Sequence, residues 1–183
     1  MKKPIIVAIV GESGSGKTTI AKHLEENFGI PTIVSYTTRE MRDGETNGVE
    51  HFFVDNFPYS PNDEKILAYT KFGGHDYWTT HDQVPKNKAS TYVIDENGLV
   101  VMKDKYGDMY DIISVYVYCP IWKRGRWTPL DRLDRDTRRI HINAADYCCI
   151  MQNIGSLEYL LKDAETTIKK LIEKTQEMQT WQH

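Results

Sequence analysis

The sequence predicts an α/β fold: a parallel sheet flanked by helices and built on a glycine-rich loop after its first strand, with an inserted lobe and a short lid. Three observations carry this. The apolar run Ile5-Ile6-Val7-Ala8-Ile9-Val10 leads into a glycine-rich turn and then a helical pattern. Later apolar runs alternate with helical periods, which implies parallel strands joined by right-handed crossovers. Residues 35–86 break that alternation with loop and hairpin signals, which marks an insertion.

In order, residues 17–28 predict a helix, with Ile20, Leu24 and Phe28 on one face and Gly29 and Pro31 ending it. Ile30 to Val34 is a short strand. Ser35 to His51 has no apolar period and reads as a long loop of the kind that carries function. Phe52 to Val54 predicts a short strand, and Asn62 to Ala68 a helix. Tyr69–Phe72 and His75–Tyr77 flank Gly73-Gly74 as a hairpin. Thr80 to Lys86 predicts a short helix, Thr91 to Ile94 a buried strand ending on Asp95, and Asn97 to Lys105 a helix. Asp111 to Tyr118 is a strand stopped by Pro120. Residues 121–143 are rich in arginine, and a charge run of this kind predicts a mostly solvated helix face. Tyr147 to Met151 is the last strand. The final helix carries Leu157, Leu160, Leu161, Ala164, Ile168, Leu171 and Ile172 as its apolar stripe, with a frayed tail from Thr175 to His183. The chain is expected to be one domain, with a core of 1–34, 87–120 and 145–176, a lobe of 35–86 and a lid of 121–144.

A chain of 183 residues suits one domain. Its 23 basic and 26 acidic side chains give a net charge of −3, so no global basic field exists to hold nucleic acid. No apolar run reaches bilayer length and no signal peptide is evident. Cys119, Cys148 and Cys149 form neither a disulfide framework nor a zinc pattern. These features predict a cytoplasmic protein with no nucleic-acid or membrane partner. His75, Asp76, His81 and Asp82 lie close in sequence but lack metal-ligand spacing. Trp122, Trp127 and Trp181 read as packing or surface residues.

The chemistry begins at Gly11-Glu12-Ser13-Gly14-Ser15-Gly16-Lys17-Thr18, which fits G-x-x-x-x-G-K-[ST] without mismatch. Gly11, Gly14 and Gly16 let the backbone curl so that its N–H groups face phosphate oxygens, aided by the helix N-terminus. Ser13, Ser15, Lys17, Thr18 and Thr19 complete an ATP-binding set, with Lys17 reaching the β- and γ-phosphates and Thr18 supplying a hydroxyl to Mg²⁺. A second phosphate site is predicted in the 35–51 stretch. Arg39 and Arg42, three apart, can clamp a phosphate, with Ser35, Glu45, Tyr77 and Thr79 nearby.

That P-loop, followed by Ser35-Tyr36-Thr37-Thr38-Arg39-Glu40-Met41-Arg42-Asp43-Gly44-Glu45-Thr46-Asn47-Gly48, then Phe53-Val54, Phe72-Gly73-Gly74, Tyr77, Thr79 and a strand ending at Asp95, resembles guanylate kinase. The match runs over residues 4–100 and returns at Asn153 and Leu157-Glu158. The resemblance implies in-line transfer of the ATP γ-phosphoryl group to GMP or dGMP, with Mg²⁺ and with ATP as co-substrate, by a monomer or homodimer. Ser35, Arg39, Arg42, His51 and Tyr77 would hold the acceptor phosphate, with Glu45 supporting the arginines. Thr79 and Asp95 would face the guanine, Asp95 alternatively serving Mg²⁺-bound water. Arg126 and Arg132 are the expected catalytic arginines beside Lys17, with Arg124, Arg135 and Arg138 as substitutes. The pattern departs from the family at four positions. His51 replaces a tyrosine and would titrate near neutrality. Ala68 replaces a base-reading glutamate, with Glu64 one turn earlier. Val93 replaces a carboxylate, and Trp78 replaces a glycine and would crowd or stack on the base. The lid is also shorter. Two other functions fit the same residues: a related kinase with another nucleotide or a sugar phosphate as acceptor, and a phosphopeptide-binding module that has lost catalysis.

Overall fold

The computed structural model describes residues 2–61, 63–137, 139 and 143–181. Its larger sheet is built from β1 (Ile5–Val10), β2 (Thr32–Ile33), β7 (Ser90–Val93), β8 (Asp111–Tyr118) and β9 (Cys149–Gln152), in the order β2-β7-β1-β8-β9. Every pairing in it is parallel. β1 is buried along its whole length, as a central parallel strand must be when both faces are covered. Its side chains alternate between two cores. Ile5, Val7 and Ile9 pack with α1 (Lys17–Phe28) and α5 (Leu157–Trp181), while Ile6, Ala8 and Val10 pack on the side of α2 (Glu96–Tyr106). The period of two thus places the loop after β1 at the carboxyl edge of the sheet, between the layers, where ligands of such folds bind.

The insertion forms a second sheet of β3 (Tyr36–Thr37), β4 (Phe52–Phe53), β5 (Ile66–Phe72) and β6 (His75–Thr80), in the order β4-β3-β6-β5. β5 and β6 make the expected hairpin around Gly73 and Gly74, both at positive φ. The predicted helix from Asn62 to Ala68 is corrected: Asn62 lies outside the described residues, and Ile66, Leu67 and Ala68 begin β5 instead. Ladder bonds to β6, with a register shift between Ile66 and Ala68, override the local helical preference. The predicted helix at Thr80 to Lys86 contracts to a 3₁₀ turn, His81–Gln83.

Residues 121–136 carry two short helices, α3 (Ile121–Arg124) and α4 (Leu130–Asp136). α5 buries Leu160, Ala164, Ile168 and Ile172 against the sheet, while Leu157 is exposed. The expected fraying from Thr175 is corrected as far as Trp181, Gln182 and His183 lying outside the described residues. Gln179 is buried and its amide donates to Lys3 O and to the Asp111 carboxylate, which ties the last turn to the start of the sheet.

Candidate active site

The turn after β1 is glycine-rich for a visible reason. Gly11, Gly14 and Gly16 all have positive φ, and a Cβ on Gly11 would stand 2.4 Å from Val117 O. Lys17 opens α1, and its Nζ donates back to Gly11 O at 2.7 Å and Glu12 O at 2.8 Å. Enclosure depresses its pKa to about 7, with the Arg139 guanidinium adding to the effect and Asp136 opposing it. Asn153 is buried and donates from Nδ2 to Ser15 O at 2.9 Å while Lys123 Nζ donates to its Oδ1 at 2.6 Å, fixing the far wall of the loop. The Ser13 and Ser15 side chains are buried. Thr18 and Thr19 are exposed at the rim of a cavity of about 530 Å³ that also reaches Gly14, Gly16, Lys17 and Arg132.

A second cavity, of about 250 Å³, is lined by Ser13, Lys17 and Arg132 from the loop and lid side. Its other wall holds Ser35, Arg39, Arg42, His51, Tyr77 and Asp95, so six of the predicted acceptor residues are brought together. Arg39 is buried and forks onto Glu45 with both contacts at 2.9 Å, and the Arg42 amide donates to the same carboxylate at 2.9 Å. Glu45 therefore supports the arginines without lining the cavity itself. His51 Nδ1 and Ser35 Oγ are hydrogen-bonded at 2.8 Å. Burial, reinforced by the nearby Arg39 charge, lowers the His51 pKa to about 4, so the expected titration near neutrality is corrected: the ring is neutral there.

At the base end three expectations change. Thr79 is fully buried beneath the cavity and donates to Tyr92 Oη at 3.1 Å, so Tyr92 rather than Thr79 forms the wall. Trp78, next to Tyr77 on β6, points to the opposite face and packs between Tyr36 and Phe57 with centroids at 5.4 and 4.9 Å. It neither crowds nor stacks on anything in the cavity. Glu64 is exposed ahead of β5 and does not replace the missing carboxylate. Asp95 caps α2, its Oδ1 accepting from Gly98 N at 2.7 Å and from Thr70 Oγ1 at 3.2 Å. Thr70 and Tyr92 were not singled out from the sequence. Thr70 shares a face of β5 with Ala68 and Phe72, and a period-two reading of that run as a strand would have found it.

The lid arginines are mostly not a solvated face. Arg124 is buried between Asp136 at 2.8 Å and Glu12 at 2.9 Å, and Arg139 bonds Glu96 through Nε and Nη2 at 3.0 and 2.7 Å. Arg135 lies over the Phe72 ring at 5.2 Å. Arg126, expected to be catalytic, is exposed and lines neither cavity. Arg132 lines both, and burial together with repulsion from Arg42 and Arg135 lowers its pKa. Arg138 lies outside the described residues. Among the described residues no cluster of side chains has the make-up of a metal site. His81 is bonded to Tyr110 Oη at 2.8 Å and Asp76 to Tyr69 Oη at 2.7 Å.

The sequence model of the guanylate kinase family matches residues 1–124, from the N-terminal segment through the end of α3. The chain belongs to the guanylate kinase family. It is 28% identical to the guanylate kinase of Helicobacter hepaticus over 179 residues, 93% of this chain and 88% of that one. It is 31% identical to that of Sphingopyxis alaskensis over 173 residues, 84% and 78% of the two chains. Other bacterial guanylate kinases align over only a little more than half their own length. The crystal structure of guanylate kinase from Anaplasma phagocytophilum superposes with a TM-score of 0.67 at 21% identity, covering 96% of this chain and 88% of that one. At that identity the superposition speaks for the fold. In this guanylate kinase family member the lid arginines beyond residue 124 fall outside the family match, so their roles rest on geometry.

Proposed function

We propose that this guanylate kinase family member transfers the γ-phosphoryl group of ATP to GMP or dGMP, giving ADP and the nucleoside diphosphate. One observation carries the reading: two cavities, one walled by the P-loop and the other by Ser35, Arg39, Arg42 and Tyr77, meet at Lys17 and Arg132. A donor in the first and a phosphate acceptor in the second would face each other across those two cations. In-line transfer needs that arrangement.

Residues 35–86 then form the acceptor-binding lobe and residues 121–144 the lid. Lys17 and the loop amides hold the donor phosphates. Arg39 and Arg42, braced by Glu45, hold the acceptor phosphate with Ser35, Tyr77 and the neutral His51. Arg132 neutralises charge on the moving phosphoryl group. The acceptor phosphate is mostly a dianion near neutral pH, so no side chain has to remove a proton from it. Proximity and charge stabilisation supply the rate. Asp95 and the Tyr92–Thr79 pair present the polar groups at the base end.

Mg²⁺ fits this site as a companion of the nucleotide. The exposed Thr18 hydroxyl stands beside Lys17 on the donor cavity, and an ion bound largely by phosphate oxygens and water needs little more from the protein. Thr18 would hold it beside the donor phosphates, where its charge would offset theirs. No helix among the described residues is long and apolar enough to cross a membrane, and the three cysteines are free. Both fit work in a reducing cytoplasm.

The test is ADP release from Mg-ATP with GMP, dGMP, AMP, CMP, UMP, dTMP and IMP as acceptors. Preference for GMP and dGMP is expected. Turnover with a pyrimidine or AMP alone, or none above hydrolysis, would overturn the assignment of the acceptor.

A further inference from the structure

The P-loop of this protein already holds an anion, and the anion belongs to its own lid. Asp136, at the end of α4, is 3% exposed. One of its carboxylate oxygens accepts the Ser13 backbone N–H at 2.9 Å, and the other accepts the Ser13 hydroxyl at 3.0 Å. Arg124 Nη1 donates to the same carboxylate at 2.8 Å, and Arg139 Nη1 lies 3.6 Å from it. Two neighbours of Arg124 complete the cover. Trp127 Nε1 donates to Gly14 O at 3.0 Å, and Thr128 sits so close that a Cβ on Gly14 would fall 2.0 Å from its Oγ1. That hydroxyl is buried with no hydrogen-bond partner among the described residues.

A loop amide and two guanidinium groups are the donor set that a terminal phosphate would choose. We propose that Asp136 is a positioning residue that latches the lid onto the P-loop by standing in for phosphate oxygens, and that an incoming nucleoside triphosphate must displace it. This rests on reading the loop as the donor site. The exchange is favourable because the phosphate brings more charge and one more oxygen than the carboxylate. It also has a consequence for the lid. Once Asp136 leaves, Arg124 loses one of its two carboxylates and Arg139 keeps only Glu96, so both can turn to the donor. Donor arrival and arginine recruitment become one event. A carboxylate that merely braced the fold would do the opposite, since its removal would leave donor affinity unchanged or weaker.

Calorimetry with Mg-ATP and no acceptor tests this on the wild type, Asp136→Asn and Ser13→Ala, with thermal melting to establish that each is folded. Asp136→Asn is expected to bind about tenfold more tightly, the worth of one charge-assisted hydrogen bond that no longer competes. Ser13→Ala keeps the loop amide, loses one of the two latch contacts and should shift in the same direction by less. If Asp136→Asn fails to fold, Ser13→Ala decides alone. Wild-type binding with no gain in the folded variants overturns the latch and leaves the donor site standing. No binding by any of the three overturns both.

Discussion

Replacing Arg132 by alanine separates chemistry from stability, and the structure sets both magnitudes. Arg132 is the lid arginine common to the two cavities. Losing a guanidinium that stabilises a transferring phosphoryl group costs roughly 10³-fold or more in turnover. Its effect on folding should be small or even favourable. Among the described residues Arg132 has no ion-pair partner, its Nε is buried without a hydrogen bond, and Arg42 and Arg135 repel it. Attraction from Asp136 and Asp131 is outweighed by burial and by that repulsion, so little stability is lost with it.

Arg124 is the contrast. It is buried and paired with both Glu12 and Asp136, so Arg124→Ala takes the guanidinium partner from two carboxylates. Breaking a buried pair costs about 3–5 kcal/mol. In a domain of this size that is a fall of roughly 6–20 °C in melting temperature. Arg126→Ala, at an exposed site lining neither cavity, should leave both quantities near the parent values. The assay is steady-state ADP release with GMP alongside calorimetric melting of the three variants. Near-parent turnover in Arg132→Ala, or a loss in Arg126→Ala of similar size, would refute the reasoning.

Four further outcomes follow from the same geometry. Because Lys17 has its pKa lowered to about 7 by enclosure and would pair with phosphate as an ammonium, ATP binding at pH 8 should take up about one proton, and at pH 6 almost none. Calorimetry in buffers of different ionisation enthalpy reads this directly. His51→Phe removes the bond to Ser35 and should raise the KM for GMP several-fold with no matching change for ATP; an equal rise for both would argue against its place in the acceptor site. Asp95→Asn keeps an oxygen for the α2 cap but loses the charge, so the preference for GMP over AMP should fall while melting shifts little, which the acceptor panel and a melting curve check. Removing residues 175–183 takes away the Gln179 bonds to Lys3 O and Asp111, worth about 1–3 kcal/mol with one partner charged. A drop of roughly 2–12 °C in melting temperature is expected, and an unchanged one would restore the frayed-tail reading.

What the sequence disclosed, and what it hid, divides along a physical line. β1, the P-loop and α1 are continuous in the chain, and each residue's conformation there follows from its neighbours: six apolar residues, glycines at positive φ, then an amphipathic turn. The arginine–glutamate cluster was legible for the same reason, since Ser35 to His51 is one stretch and Arg39, Arg42 and Glu45 find each other within it. The base end is different. Thr70 reaches Asp95 across 25 positions and Thr79 meets Tyr92 across 13, so no local pattern could say that the Thr79 hydroxyl turns away from the cavity. The lid arginines were the least legible: of the two expected at the site, Arg132 lines both cavities and Arg126 lines neither. Whether an arginine is solvated or buried depends on the carboxylate that meets it, and Arg139 meets Glu96 from 43 positions away. Arg126 and Arg124 are two residues apart, equal in charge and side chain. Only the second is turned toward Glu12 and Asp136, and so only the second is drawn in against the P-loop. The loop and the Arg39–Arg42–Glu45 cluster are therefore written in contiguous sequence, while the Thr70–Asp95, Thr79–Tyr92 and Arg139–Glu96 contacts are written in tertiary pairs. That is why the cavity wall can differ at Ala68 and Val93 while the loop and the arginine cluster stay as they are, and why Trp78, turned to the other face, has no part in it.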